Sequence, residues 1–326
     1  MKIVLKRSFV FLLCMIFIYI VGVTGLVALE NKKKKNIFFD EGYKLPTVMA
    51  IALNHPQDQN DILVFSPNQE RINKLKTIFN HVYLQYDNES YNEFLSKKDS
   101  YDRFFTCNWY HGRHQYLNPN KKYCHFEDGA YEYYKDKAFN WLCNKERVEQ
   151  MFLMFPQYVF YTLKSLPFEA ISREKYLEAI SILYNPQPVQ NKIIYSLDCP
   201  EILSNAFAKQ VINILKNYDN VAIKCHPRDG RKYLWPKNFT ILDKSKPFES
   251  FYYGFNGIFI SNLSACLHTA KFMKPNSTVI CTIYLDSSKN LEESKKYIAM
   301  LKELGVLFPK TIAELKSMIS QNINKI

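Results

Sequence analysis

The chain has 326 residues and a mass of 38.5 kDa, which at roughly 100–200 residues per domain is room for two folded domains. It is 47% hydrophobic, 23% charged and 15% aromatic, with nine Gly and 14 Pro, a composition that excludes disorder and collagen-like or low-complexity chains. The balance of 43 basic and 31 acidic side chains leaves a formal charge of +12. Such a surface draws anions (nucleic acid, nucleotides, phosphate-rich glycans or an anionic membrane face) without choosing among them.

Phe9 to Leu29 is a run of 21 consecutive uncharged residues, and about 20 such residues span a bilayer core as a helix. A cleaved signal peptide has a shorter apolar core and a small-residue cleavage site. Here the run is longer and no clean site follows, so residues 1–35 are expected to be an uncleaved single-pass anchor with a basic linker. Lys2, Lys6 and Arg7 precede the run and Lys32 to Lys35 follow it, so the positive-inside bias nearly cancels and leaves orientation open. The lysines after the run suit anionic lipid headgroups.

The body reads as two alternating α/β halves, residues 36–188 and 189–326. In the first, Asn36–Phe39 is a short apolar run and Leu45–Leu53 has helical spacing. Ile62–Phe65 reads as a strand, Arg71–Phe79 as a helix, and Val82–Tyr86 and Tyr123–Phe126 as strands. Residues 91–122 resist assignment, and Glu146–Leu163 reads as helical with an interruption near Pro156. Pro186 to Gln190 marks a boundary. In the second half, strands are expected at Lys192–Leu197, Asn220–Lys224, Phe239–Leu242, Gly257–Ile260 and Ser277–Tyr284. Helices are expected at Glu201–Lys216, Ser264–Phe272, 291–304 and 312–321. Strand–helix alternation is the signature of a parallel sheet with covering helices, so the fold class is α/β with two Rossmann-like domains. Such sheets bind ligands at the carboxyl ends of their strands.

Unusual polar groups fall at those ends. Lys224-Cys225-His226-Pro227-Arg228 leaves the strand Asn220–Lys224. Pro227 restricts the exit path of His226. Lys224 and Arg228 are suited to hold a phosphate, to which a protonated His226 can deliver a proton; the plainer alternative is an ordinary loop histidine. Glu127-Asp128-Gly129 follows the strand Tyr123–Phe126 and is either a general base, one carboxylate raising the other's pKa, or an acidic turn. Ser261-Asn262-Leu263-Ser264 precedes a helix and offers either a phosphate pocket or simple capping by Ser264. Asp198 is either a base in the cleft or the cap of the helix starting near Pro200. Phe248-Glu249 opens a short amphipathic segment, where the glutamate either accepts from ribose hydroxyls or is a solvated helix carboxylate.

No GxGxxG or Walker P-loop pattern is present, nor GxSxG, HExxH or DxD, and no Cys/His spacing suits a metal. No metal or cofactor is therefore expected, and no nucleic-acid-binding motif supports a nucleic-acid partner. The eight cysteines are widely spaced without a CxxC pair, the pattern of scattered reduced thiols.

The ordered set (anchor, FEDG, IIYSLD, KCHPR, FISNLSA) resembles the bacterial sialyltransferases of the two-Rossmann GT-B architecture, in particular glycosyltransferase family 52, the lipooligosaccharide sialyltransferases. The resemblance includes the opening unit Asn36 to Asn68 and extends over most of residues 36–270. It implies metal-independent, inverting transfer of sialic acid from CMP-sialic acid to a galactose-terminated glycan, by an inner-membrane protein whose body faces the cytoplasm. It implies His226 as general acid, and either Asp128 or Asp198 as base. The resemblance puts CMP contacts at the turn after His226-Pro227, at Phe248 and Glu249, and at Ser261 with its neighbours Asn262 and Ser264. The motifs leave open another GT-B transferase, such as a polysialyltransferase or one using a different nucleotide sugar, and a non-catalytic glycan- or nucleotide-binding membrane protein. They also leave open the oligomeric state, a homodimer included.

Overall fold

The computed structural model describes residues 33–40, 42–107, 116, 121–127, 129–134, 145–159, 163–186, 188–199, 203–231, 235–287 and 291–325. The expected anchor at Phe9–Leu29 lies outside these residues. Among the described residues no helix is long and apolar enough to cross a membrane.

The first half is a seven-stranded sheet of β1 (Lys35–Phe39), β2 (Gln59–Val64), β3 (His81–Leu84), β4 (Arg103–Thr106), β5 (Tyr123–Phe126), β6 (Val148–Leu153) and β7 (Phe168–Ala170). Its order is β3-β2-β1-β4-β5-β6-β7 and every pairing is parallel. The covering helices are α1 (Leu45–Asn54), α2 (Gln69–Leu75), α3 (Asn88–Lys97), the single turn α4 (Tyr131–Tyr134) and α5 (Arg173–Tyr184). Asn68, Asp87 and Ser172 start α2, α3 and α5 by accepting hydrogen bonds from backbone amides three residues on, the usual remedy for orphan helix donors.

The second half is a five-stranded parallel sheet of β8 (Ile193–Ser196), β9 (Val221–Lys224), β10 (Phe239–Leu242), β11 (Ile258–Ser261) and β12 (Thr278–Cys281), ordered β10-β9-β8-β11-β12. Its helices are α6 (Asn205–Leu215), α7 (Phe248–Tyr252), α8 (Cys266–Met273), α9 (Lys295–Glu303) and α10 (Ile312–Ile323). Strands β8, β9, β11 and β12 are near-continuous apolar runs buried from both faces, whereas β10 at the edge exposes Thr240 and Ile241.

Several elements differ from the sequence reading. The stretch expected as a helix over Glu146–Leu163 is instead the interior strand β6, followed by a single turn at Pro156–Tyr158. Its apolar run is buried from both sides, and burial on both faces erases the periodicity that separates a strand from a helix. Within 91–122, α3 is largely polar and buries only Phe94, and β4 is only four residues long. Strand β7 and helix α5 were not expected. The helix after Asp198 starts at Asn205 rather than near Pro200, and Ser204 caps it by accepting from the Phe207 amide. Asp198 is therefore not its cap. The six described cysteines are all free.

One apolar core runs through both halves, joining Phe105, Phe152 and Tyr176 of the first to Phe248, Phe272 and Met273 of the second. At the seam, α5 lies against α7 and α8, and α4 against α9. Phe272 on α8 meets Phe155 edge-on at 5.7 Å and Tyr176 at 5.5 Å. Truncating Phe272→Ala should lower stability by about 3–5 kcal/mol. Denaturant unfolding of the full chain tests this, and the expected result is a lower midpoint at unchanged slope.

Candidate active site

The register of the second sheet sets the ends of its strands in one row. Leu242 lies opposite Lys224, Lys224 opposite Ser196, Ser196 opposite Ser261, and Ser261 opposite Cys281. Strand order reverses between β8 and β11, and the crevice outside such a switch point is where open α/β sheets take ligands.

Asp198 spans that crevice. It is buried, and its carboxylate accepts from the Ser261 hydroxyl at 3.0 Å and from the Leu263 amide at 2.8 Å. The Ser261 hydroxyl also lies 3.0 Å from the Ser196 carbonyl, while the Ser261 carbonyl accepts from the Thr282 amide and hydroxyl. Asp198 thus ties the end of β8 to the turn after β11. Asn262 in that turn has no exposed surface, and neither end of its amide has a hydrogen-bond partner among the described residues.

On the other side of β8, Lys224 is buried and its ammonium donates to the carbonyls of Cys225 at 2.9 Å and Lys244 at 3.3 Å. Burial pushes its pKa below the ordinary lysine value. His226 is half-buried, and Pro227 and Arg228 are exposed. Pro227 has no amide hydrogen, so the first amide after His226 belongs to Arg228. It donates to His226 Nδ1 at 3.2 Å, which assigns the ring hydrogen to Nε2.

Phe248 is buried at the start of α7, stacked on Tyr252 with ring centroids 4.9 Å apart. Glu249 beside it is not a solvated helix carboxylate. It keeps some surface, but burial raises its pKa, and the Tyr176 hydroxyl of the first half lies 3.4 Å from Oε1. Ser264 does not cap α8 in the ordinary way: the cap position is Ala265, and the Ser264 hydroxyl accepts from the Cys266 amide at 3.3 Å.

Glu127 and Gly129 of the first half lie against His268 and Ala265 of the second. Asp128 lies outside the described residues. Gly129 has φ +145°, a conformation that side chains rarely adopt, and a Cβ placed there would stand 3.5 Å from Ala265 Cβ and 3.8 Å from Lys44 Nζ. Glu127 is buried and has partners from both halves. It accepts from the Met154 amide at 2.8 Å and from the Tyr133 hydroxyl, and it meets His268 Nε2 of α8 at 2.8 Å. His268 Nδ1 lies 2.8 Å from the Tyr297 hydroxyl of α9, which donates to the Ser264 carbonyl at 3.0 Å.

The structure thus brings Asp198, Ser261 and Asn262 together at the switch point, with Lys224 in the same row and His226 just beyond it. It sets Gly129 against Ala265 and Glu127 against His268. His268, Tyr297, Tyr133 and Lys44 were missed by the sequence reading. A lone histidine inside an apolar helix and tyrosines in an aromatic-rich chain carry no spacing signal, and only the packing of the two halves brings them together.

No protein-family model matches the chain, and no curated protein matches it. Solved structures do. A variant of the wall teichoic acid polymerase TagF soaked with CDPG is 14% identical, with a TM-score of 0.50 over 91% of this chain and 84% of that one. The glycotransferase of kitacinnamycin is 9% identical, with a TM-score of 0.50 over 90% of this chain and 91% of that one. These likenesses give the fold: two Rossmann-like halves in the GT-B arrangement.

The tie made by Asp198 has a measurable consequence. Asp198→Ala leaves the buried Leu263 amide and Ser261 hydroxyl without that acceptor and should cost about 1–3 kcal/mol. Asp198→Asn keeps one acceptor oxygen and should cost less. Chemical denaturation of the two variants checks the order.

Proposed function

We propose that the chain is a metal-independent, inverting glycosyltransferase that moves sialic acid from CMP-sialic acid to a terminal galactose of lipooligosaccharide or capsule. The observation that carries this reading is the position of Lys224-Cys225-His226-Pro227-Arg228 at the end of β9, beside the switch point of the second sheet.

The chemistry follows from charge. Sialic acid leaves as an oxocarbenium-like fragment and hands negative charge to the departing CMP phosphate. His226 Nε2–H, Arg228 and the ammonium of Lys224 are the groups near that charge, and positive charge held in place there lowers the barrier. Phe248 and Glu249, with Ser261, Asn262 and Ser264, would line the nucleotide and its ribose. The acceptor hydroxyl needs a base on the opposite face of the sugar. Asp198 spends both carboxylate oxygens on the turn after β11, which supports Asp128 as that base. Phe9–Leu29 would hold the enzyme on the inner membrane as a single span, with its body on the cytoplasmic side.

Release of CMP from CMP-sialic acid by the purified full chain, with and without lactose, tests the proposal. Release should depend on the acceptor and fall by about 10²–10⁴ in His226→Ala, the usual worth of a positioned acid. Asp128→Asn should fall comparably and Asp198→Asn should keep substantial activity. Release from another nucleotide sugar but not from CMP-sialic acid would move the donor assignment. No release from any nucleotide sugar would overturn the transferase reading.

A further inference from the structure

The seam between the halves holds a buried acid–base pair for which the proposed chemistry has no use, and counting its hydrogens shows what it does. Tyr133 oxygen accepts from the Phe155 amide at 3.1 Å, so its single hydrogen goes to Glu127 Oε2, which also accepts from the Met154 amide. The Ser264 carbonyl only accepts, so the Tyr297 hydroxyl hydrogen goes to it. Tyr297 oxygen must then accept from His268, which puts a hydrogen on Nδ1. The 2.8 Å contact between Nε2 and Glu127 Oε1 therefore holds one more proton, on one side or the other.

The surroundings decide which side. Burial works to raise the Glu127 pKa. The hydrogen bond and charge of His268, with the charge of Lys44 and the Tyr133 hydroxyl, outweigh it and hold the carboxyl below its ordinary value of 4.5. The carboxylate form places the shared proton on Nε2. The groups facing the pair are Lys44 and Tyr133 from the first half, Tyr176 on α5 and Tyr297 on α9, with Glu132 beyond Tyr133. Phe155 closes the aromatic side of the ring.

We propose that Glu127, His268 and Tyr297 form an ionic latch between the two halves. In it, His268 and Tyr297 are positioning residues that hold Glu127, at the end of β5 in one half, in register with the Ser261–Ser264 turn of the other. The chain runs from the Met154 amide through Glu127, the imidazolium and the Tyr297 hydroxyl to the Ser264 carbonyl, so each is oriented through the other. Losing the proton on Nε2 would leave a lone pair facing a carboxylate. The ring can then keep its bond to Glu127 only by moving its hydrogen from Nδ1 to Nε2, which turns the Tyr297 hydrogen away from Ser264. Because the Glu127 carboxyl is held below its ordinary value of 4.5, its bond to the imidazolium is lost on the acid side only as pH falls below that value through the folded-state pKa.

The proposal does not rest on the donor or on catalysis, and its test reads neither. In the full chain labelled with ¹⁵N-histidine, NMR just above pH 4.5 should show His268, identified by its loss in His268→Gln, with both ring nitrogens protonated. In Glu127→Gln the side-chain amide can donate to Nε2, so His268 should keep its hydrogen on Nδ1 and lose the one on Nε2. Hydrogen exchange in the 261–267 segment should rise about tenfold in Tyr297→Phe while β9 stays protected. It should also rise in the unmodified chain as pH falls below 4.5, after correction for intrinsic exchange chemistry. A ring with a hydrogen on Nε2 alone, a ring whose state is the same in Glu127→Gln, or a segment whose protection ignores Tyr297→Phe would overturn the latch.

Discussion

A carboxylate with almost no exposed surface must find its solvation inside the protein, because removing it from water costs several kcal/mol unless charge and hydrogen bonds compensate. Glu127 is such a group, and the elements that satisfy it come from all around the seam. The loop after β6 supplies the Met154 amide, α4 supplies Tyr133 and α8 supplies His268. Tyr297 on α9 then fixes the far side of the imidazole. None of these elements can shift independently without leaving a buried polar group unpaired. The distance between the end of β5 and the turn after β11 is thereby set by chemistry as well as by the shared apolar core, and so is the separation between the two faces at which any reaction in the cleft would take place.

The second constraint is geometric. All strands of the second sheet run the same way in register, so whatever follows them is delivered to one edge. At that edge the switch between β8 and β11 would leave a crevice flanked by loose turns. Asp198 closes it by accepting from Ser261 and Leu263. A residue at a strand end in a cleft invites a catalytic reading, yet these bonds give Asp198 a complete structural role. Lys224 shows the same economy on the other side: its ammonium braces the carbonyls of Cys225 and Lys244. Beyond it, His226 is half-buried and Pro227 and Arg228 are exposed.

Much of this was legible in the residues. Short apolar runs such as IIYS and VAIK, separated by helical stretches, announce a parallel sheet, and polar groups directly after them announce where its ligand edge lies. The strand β6 was misread because MFLMF is apolar on both faces, and α3 went unassigned because it buries only Phe94. Of the two alternatives for Asp198, the capping one failed because Ser204, six residues on, caps a later helix start. The latch was illegible for a different reason. Glu127 and His268 are 141 residues apart, and their meeting depends on how two separately folded sheets pack, which no local pattern encodes.

His226 carries a tension that follows from its own turn. Its Nδ1 accepts from the Arg228 amide, so the ring in this conformation is neutral with its hydrogen on Nε2. A neutral ring can donate a hydrogen bond to a phosphate oxygen, but to deliver a proton it must first carry a second hydrogen on Nδ1. That hydrogen would point at the Arg228 amide, and the two donors cannot share the line. Acid catalysis on the proposed reading therefore requires the turn from His226 to Arg228 to open as the phosphate arrives. Pro227 restrains that motion on one side, and the Asp229–Arg231 ion pair, with Arg231 also donating to the Leu203 carbonyl, anchors it on the other. On that reading the anion would supply the driving force. It would attract the Arg228 guanidinium and take up the freed amide, and it would raise the affinity of the adjacent ring for a proton. Protonation of the proposed acid would in this way be tied to the presence of the leaving group, so the histidine would be charged when there is a phosphate to receive its proton.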